Sequence, residues 1–430
     1  AAAHPRVMEA LVRANAGHAV GYGDDPFTAR AEAAVAALFG PGAVVRFVLN
    51  GTGANVYALG CFAGQGDAIL CSDCAHILVD ETGAPTAVTG AQLVPVGTEG
   101  GKVVASALEE TIRHYDDMHK PRPAALSLSQ PTEVGTAYTR EELATLCRIA
   151  HRAGMAVHID GARLSNAAVA LGCGPAEASG YAAPGQAAPA ADVSGSGVRG
   201  ADVVCFGGTK NGLMFGEAVV FAPRADGSLP DTARLRKTRL QLSSKMRYIA
   251  AQFEEYVRDG LLQECAAAAN RQADRLAAGL RARGIGLEYP AQTNGLFFKL
   301  PAPVVEELRA KRFFYDWEGG AIRWMASWDT TDGDVDGLLA DLDTALANHA
   351  ADARADAGPP EHAVEKETLI SAGRAFMRSN WDALDDCKSD ESLGVTPPPF
   401  VRPAPEGARI VALPDPAPSD LGGRSFRDIT

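Results

Sequence analysis

The sequence predicts an α/β protein: a large domain on a mostly parallel seven-stranded sheet, a smaller α+β C-terminal domain, and an irregular C-terminal tail. Three observations lead there. Seven short apolar runs alternate with helical patterns from residue 26 to about 222, the pattern of strands joined by helical crossovers. From about 231 long amphipathic helices take over, followed by the strand-rich stretches NGLFFKL and AIRWMASW. After about 350 the chain turns Pro-rich and loses its period. The expected domains are 1–230, 231–350 and 351–430, in keeping with a length of 430 residues, more than one core usually organises.

The strand candidates are AVVRFVL (43–49), DAILC (67–71), QLVPV (92–96), AALSLS (124–129), AVHID (156–160), DVVCF (202–206) and EAVVF (217–221). Helices fit between most of them. The clearest spans 139–153, where Thr139 and Glu142 form a capping box and Leu143, Leu146, Cys147 and Ala150 recur on one face. Between Cys173 and Gly200 the Ala, Gly, Pro and Ser content suits a surface excursion.

A net charge of −13 argues against binding a phosphate backbone, which needs a surplus of Lys and Arg. No run approaches the roughly 20 apolar residues of a membrane helix, and the start AAAHPRVMEALV lacks a signal-type pattern, so the cytoplasm is the expected location. Of eight cysteines only Cys71 and Cys74 lie close together, with no second pair at zinc-ligand spacing, so structural thiols and no metal are expected.

In an open parallel sheet ligands bind beyond the carboxyl ends of the strands, which directs attention to the residues just after each one. Asn50-Gly51-Thr52-Gly53-Ala54-Asn55 is a small-residue turn into a helix, able to offer N–H groups to a phosphate. Asp160, with Arg163 three residues on, ends the fifth strand; taken alone, the pair reads equally as a helix cap and a surface arginine. Lys210 follows the sixth strand in the loop Gly207-Gly208-Thr209-Lys210-Asn211-Gly212. Together these meet the demands of pyridoxal phosphate: an amine for the aldehyde, a carboxylate for the pyridine nitrogen and N–H groups for the phosphate. His76 adds an imidazole that can stack on the ring or take a proton. A substrate carboxylate calls for a bidentate guanidinium, and Arg163 and Arg323 are the candidates; Arg323 lies in an apolar stretch where an unpaired charge is costly.

Residues 1 to about 350 resemble the low-specificity L-threonine aldolases of the β-eliminating lyase group. The resemblance is carried by GYGDDPFTARAEAA (21–34), NGTGAN (50–55), AHILVDETGAP (75–85), LSLSQPTEVGTAY (126–138), VHIDGARLSNA (157–167), CFGGTKNG (205–212), LSSKMRYIAAQ (242–252) and IRWMASWDTT (322–331), in matching order and spacing. It implies fold type I of the pyridoxal-phosphate enzymes, the aspartate-aminotransferase-like fold. It also implies retro-aldol cleavage of L-threonine, L-allo-threonine or related β-hydroxy-α-amino acids to glycine and an aldehyde. By the same resemblance Lys210 is the Schiff-base lysine, Asp160 partners the pyridine nitrogen and His76 stacks on the ring. Gly51, Thr52 and Gly53 hold the phosphate, and Arg163 and Arg323 the substrate carboxylate. A homotetramer of two catalytic dimers is implied, in which Tyr22, Lys237 and Arg247 reach a neighbour's cofactor.

The chain departs from that pattern in several places. A Ser-Asp-Asn segment common before the stretch matching AAAHP is not in it, Thr132-Glu133-Val134-Gly135 stands where some relatives carry Thr-His-Asn-Gly, and the loop between Asp160 and Lys210 is longer than usual. Residues 377–416 resemble the lead-in to nitroreductase-like flavin domains, whose fold is not present, so flavin binding is not expected. The alternatives to aldol cleavage are another pyridoxal-phosphate reaction, β-elimination or transamination, and a non-catalytic remnant or part of a fusion.

Overall fold

The computed structural model describes residues 1–181, 200–223 and 227–349; most of the excursion after Cys173 and the tail over 351–430, with its flavin-domain lead-in, lie outside the described residues. All seven expected strands form: β1 Val44–Val48, β2 Asp67–Ser72, β3 Gln92–Val96, β4 Arg122–Ser129, β5 Ala156–Gly161, β6 Val203–Gly207 and β7 Glu217–Phe221. They make one sheet in the order β1-β7-β6-β5-β4-β2-β3. Only β7 runs antiparallel to its neighbours. Every residue of β6 and β7 is buried, as expected of strands covered on both faces, and this is why they read as unbroken apolar runs.

The helices that matter for the site are α1 Pro5–Ala14, α2 Pro26–Phe39, α3 Gly51–Leu59, α4 Arg140–Arg152, α5 Leu164–Leu171, α6 Arg247–Tyr256, α7 Leu261–Ala282 and α8 Asp332–Asn348. The predicted capping box starts α4: Glu142 N–H donates to Thr139 Oγ1 at 3.2 Å, and Thr139 N–H to Glu142 Oε2 at 2.7 Å. Leu143, Leu146, Cys147 and Ala150 turn inward, as their spacing predicts.

After α7 comes a small antiparallel sheet, β8 Gly295–Phe298, β9 Tyr315–Asp316 and β10 Ile322–Met325, with β10 in the centre. Trp324 packs edge-on against Phe298 at 4.8 Å, beside residues of α7 and α8. The packing boundary differs from the one expected at 231. Met246, Ile249, Phe253, Tyr256, Leu261, Leu262 and Cys265 belong to the core under the large sheet, and the second core begins only at Leu276, within α7. An amphipathic pattern shows that a helix covers something apolar; it carries no information on which core that is.

Close backbone contact draws the carboxyl ends of the strands together. A Cβ on Gly207, the last residue of β6, would stand 2.3 Å from the Ala162 carbonyl oxygen, so only glycine lets β6 end this near the residues that follow β5. We expect Phe253→Ala to cost roughly 3–5 kcal/mol in a urea unfolding experiment, because the ring is fully buried against Phe47 at 5.0 Å and Phe206 at 6.2 Å. A change below about 1 kcal/mol, the range of a surface substitution, would contradict the placement of α6 in the large core.

Candidate active site

Asp160 is a buried carboxylate at the carboxyl end of β5. Its Oδ1 accepts the Ala162 N–H at 3.0 Å and its Oδ2 the Asn55 side-chain amide at 2.8 Å. Burial by itself favours the neutral acid, but the facing Lys210 charge and these two hydrogen bonds outweigh it and hold Asp160 below the usual carboxylate range. The neighbouring His158 is kept neutral, pushed down to about 4 by burial, between Ser127 Oγ at 2.9 Å and Cys205 Sγ at 3.3 Å.

From Asp160 the polar contacts run on to His76. The same Asn55 amide nitrogen also donates to Glu81 Oε1 at 2.9 Å, and that oxygen lies 2.8 Å from His76 Nδ1. The Glu81 contact raises the His76 pKa, against burial and the Lys210 charge, which lower it. With Nδ1–H committed to a carboxylate, Nε2 is the nitrogen left to face a ligand. The backbone N–H of His76 donates to Glu133 Oε1 at 2.9 Å, and the Ser129 hydroxyl donates to the same oxygen at 2.5 Å.

Lys210 lies in a single 3-10 turn, Thr209–Asn211, directly after β6. Asn211 pins the turn by donating to Tyr256 Oη at 2.6 Å and the Leu262 carbonyl at 3.0 Å. Although its side chain is open to solvent, protein crowds it on several sides. Desolvation lowers its pKa, Arg163 and Arg323 push the same way, and Asp160 and Glu217 oppose them. Lys210 and Asp160 therefore sense each other from the ends of adjacent strands, in which Asp160 pairs with Cys205.

Arg163 and Arg323 both lie near enough to Lys210 to lower its pKa. Arg163 is pushed down to about 10, by burial first and then by the Arg323 charge, with Asp160 and Glu133 opposing. Arg323, on β10, stacks over Tyr315 at 4.8 Å and Trp317 at 5.2 Å, and its buried Nε has no hydrogen-bond partner among the described residues. Both guanidiniums line a cavity of about 540 Å³ together with Tyr315, Trp324 and Ser327. Two cations that repel each other, with a buried donor unused, favour an incoming anion.

The turn at residues 51–53 opens α3, which carries Asn55 to Asp160 one turn later. Gly53 N–H is already given to Asn50 Oδ1 at 2.7 Å, so Gly51 and Thr52 are the positions whose N–H groups remain for an anion. A Cβ at 53 would stand 2.4 Å from the side-chain end of Gln241, which accepts the Leu49 N–H at 3.0 Å, so a larger residue there would displace that glutamine. Tyr22, Lys237 and Arg247 make contacts of their own. Lys237 stacks over the half-exposed Tyr22 ring at 4.7 Å, and Arg247 donates to the Gly17 carbonyl at 3.2 Å.

Sequence reasoning did not single out Asn55, Glu81 or Glu217 as site residues. Asn55 and Glu81 sit inside the quoted segments NGTGAN and AHILVDETGAP, and Glu217 is a charge at the head of an apolar strand; each was visible as a residue but not as a partner. Glu133 drew notice only as a departure, and it proves to anchor the turn that carries His76.

The profile of the family described as "Beta-eliminating lyase" matches residues 1–357, and the chain belongs to that family. It is 40% identical over 333 residues, 76% of this chain and 90% of the relative, to the low specificity L-threonine aldolase of Pseudomonas aeruginosa. To the low specificity L-threonine aldolase of Pseudomonas sp. (strain NCIMB 10558) it is 37% identical over 343 residues, 79% of this chain and 93% of that one. The solved structure of threonine aldolase from Leishmania major superposes with a TM-score of 0.71 at 29% identity, covering 80% of this chain and 96% of that one. A serine palmitoyltransferase of Sphingomonas wittichii shares the fold at 15% identity and a TM-score of 0.58. The fold is fold type I.

Glu81→Gln is expected to lower the His76 titration midpoint in an NMR pH series, because it removes the negative partner of Nδ1. The sign for stability follows: with its folded pKa raised, His76 stabilises the fold below the ordinary imidazole range, and the contribution fades as pH climbs through the folded value. An unmoved midpoint in the variant would show that Glu81 is not the partner.

Proposed function

We propose that this protein is a pyridoxal-phosphate-dependent carbon–carbon lyase that cleaves L-threonine, L-allo-threonine or related β-hydroxy-α-amino acids to glycine and an aldehyde. One observation carries the reading: a buried, charged Asp160 and the Lys210 amine influence each other's charge, with two guanidiniums acting on the same lysine, on a chain 40% identical to a low specificity L-threonine aldolase.

The residues present fit the cofactor. Lys210 would bind its aldehyde and Asp160 would keep its ring nitrogen protonated. Gly51 and Thr52 would hold its phosphate, with Gly53 admitting Gln241 behind them, and His76 would lie against the ring. When bound, pyridoxal phosphate supplies a conjugated ring that accepts the electron pair of the breaking Cα–Cβ bond.

The rest falls to the chain itself. Arg163 and Arg323 clamp the substrate carboxylate and thereby orient Cα, a planar bidentate task suited to guanidinium. Aromatic stacking on Tyr315 and Trp317 holds Arg323 in place without neutralising it. His76 takes the β-hydroxyl proton at Nε2, directly or through a water, and the Glu81 carboxylate on Nδ1 stabilises the resulting imidazolium. Lys210, its pKa lowered, can return a proton to Cα as glycine forms.

Among the described residues no helix is long and apolar enough to cross a membrane. We place the enzyme in the cytoplasm as a homotetramer of two catalytic dimers. Exposed Tyr22 and Leu240, beside Lys237, support an approach of a second copy at that edge.

Purified protein with L-threonine and pyridoxal phosphate should release equimolar glycine and acetaldehyde. Ammonia and an oxo acid instead would mean β-elimination or transamination. Arg323→Ala should lower kcat/KM by roughly 10- to 100-fold, the range expected when one charged hydrogen bond to the substrate is removed. A change under about twofold would remove Arg323 from substrate binding.

A further inference from the structure

Glu217 is the first residue of β7, next to the edge strand β1, and is buried. It pairs with Val48 at the end of β1 on one side and with Gly207 at the end of β6 on the other. One flank leads into the turn at Gly51 and the other into the loop of Lys210. Its Oε2 accepts the Gly208 N–H at 2.6 Å, and Thr209 also donates to the carboxylate. A carboxylate buried in a sheet for packing alone would be costly, and this one has the residues just before the lysine wrapped around it.

We propose that Glu217 is a positioning residue for Lys210: its carboxylate clasps the Gly208–Thr209 backbone and counterbalances the positive charge of the lysine. The proposal deepens the proposed function, on which it rests for the meaning of Lys210, but the charge relation itself requires no cofactor.

Among the described residues, the other titratable groups that face Glu217 are Cys205 of β6 and Tyr256 of α6, and burial raises the pKa of both and keeps them neutral. Lys210 is thus the charge that answers to it. Burial pushes Glu217 up to about 7, with its hydrogen bonds and Lys210 pulling the other way, so the carboxylate forms near neutral pH. Below that pH the amine loses its counter-charge. Arg163 and Arg323 already push Lys210 toward its neutral form, and Glu217, with Asp160, limits how far that goes.

Glu217→Gln is the test, since the amide oxygen still accepts the Gly208 N–H while the charge is gone. In the full-length protein, the extent of acylation at Lys210 by a lysine-directed reagent is read by mass spectrometry from about pH 5 to 10, and the visible band that forms on adding pyridoxal phosphate is followed over the same range. The variant is expected to shift the Lys210 acylation midpoint down by about one pH unit, with its melting temperature reported alongside. An unchanged midpoint overturns the proposal. If the variant does not fold, the wild-type curve decides: a lysine coupled to a carboxyl that titrates near 7 gives a two-step profile, and a single-site curve overturns the proposal. A shifted midpoint without any visible band would keep the charge relation and overturn the cofactor reading, so the two failures are distinct.

Discussion

A carboxylate buried at the end of a central strand must be kept charged, and much of the site's architecture answers to that requirement. Removing an ion from water costs several kcal/mol unless donors and opposite charge replace the solvent. For Asp160 the replacements come from three chain segments: the Ala162 N–H just beyond β5, the Asn55 amide on α3 and the Lys210 charge beyond β6. Each has structural consequences. Asn55 reaches Asp160 only if α3 runs close to the end of β5, which brings the 51–53 turn that opens α3 toward that strand end. Lys210 reaches it only if β6 ends against the Ala162 backbone, which glycine at 207 permits.

The other groups form a balance around that anion. Arg163 and Arg323 lower the Lys210 pKa and Arg323 lowers that of Arg163, in each case after burial, while Glu217 and Asp160 oppose the shift at Lys210 and Asp160 and Glu133 that at Arg163. The residual positive charge lies on the Arg323 side, where the guanidinium is held by aromatic faces rather than by a carboxylate. The Asn55–Glu81–His76 chain links Asp160 to the imidazole, so that a proton arriving at His76 is registered at Glu81, one hydrogen bond from the Asn55 amide that Asp160 shares.

Much of this was legible in the sequence for identifiable reasons. Strands such as β6 and β7 were visible because burial on both faces leaves unbroken apolar runs, and α4 because its capping box is local. Asp160 and Lys210 were visible because they stand at strand ends, where ligands bind. Asn55 and Glu81 were not, since hydrogen bonds spanning 26 and 105 residues leave no periodic trace. Gly53 was expected to grip phosphate, whereas its N–H is spent on Asn50 and its missing Cβ makes room for Gln241. The packing boundary moved from 231 into α7 because the apolar face of α6 does not announce which core it joins.

Borohydride reduction in the presence of pyridoxal phosphate, followed by proteolysis and mass spectrometry, tests the central claim most directly. The account predicts a pyridoxyl group on the peptide that contains Lys210. A label confined to another lysine, or none at all, would contradict it.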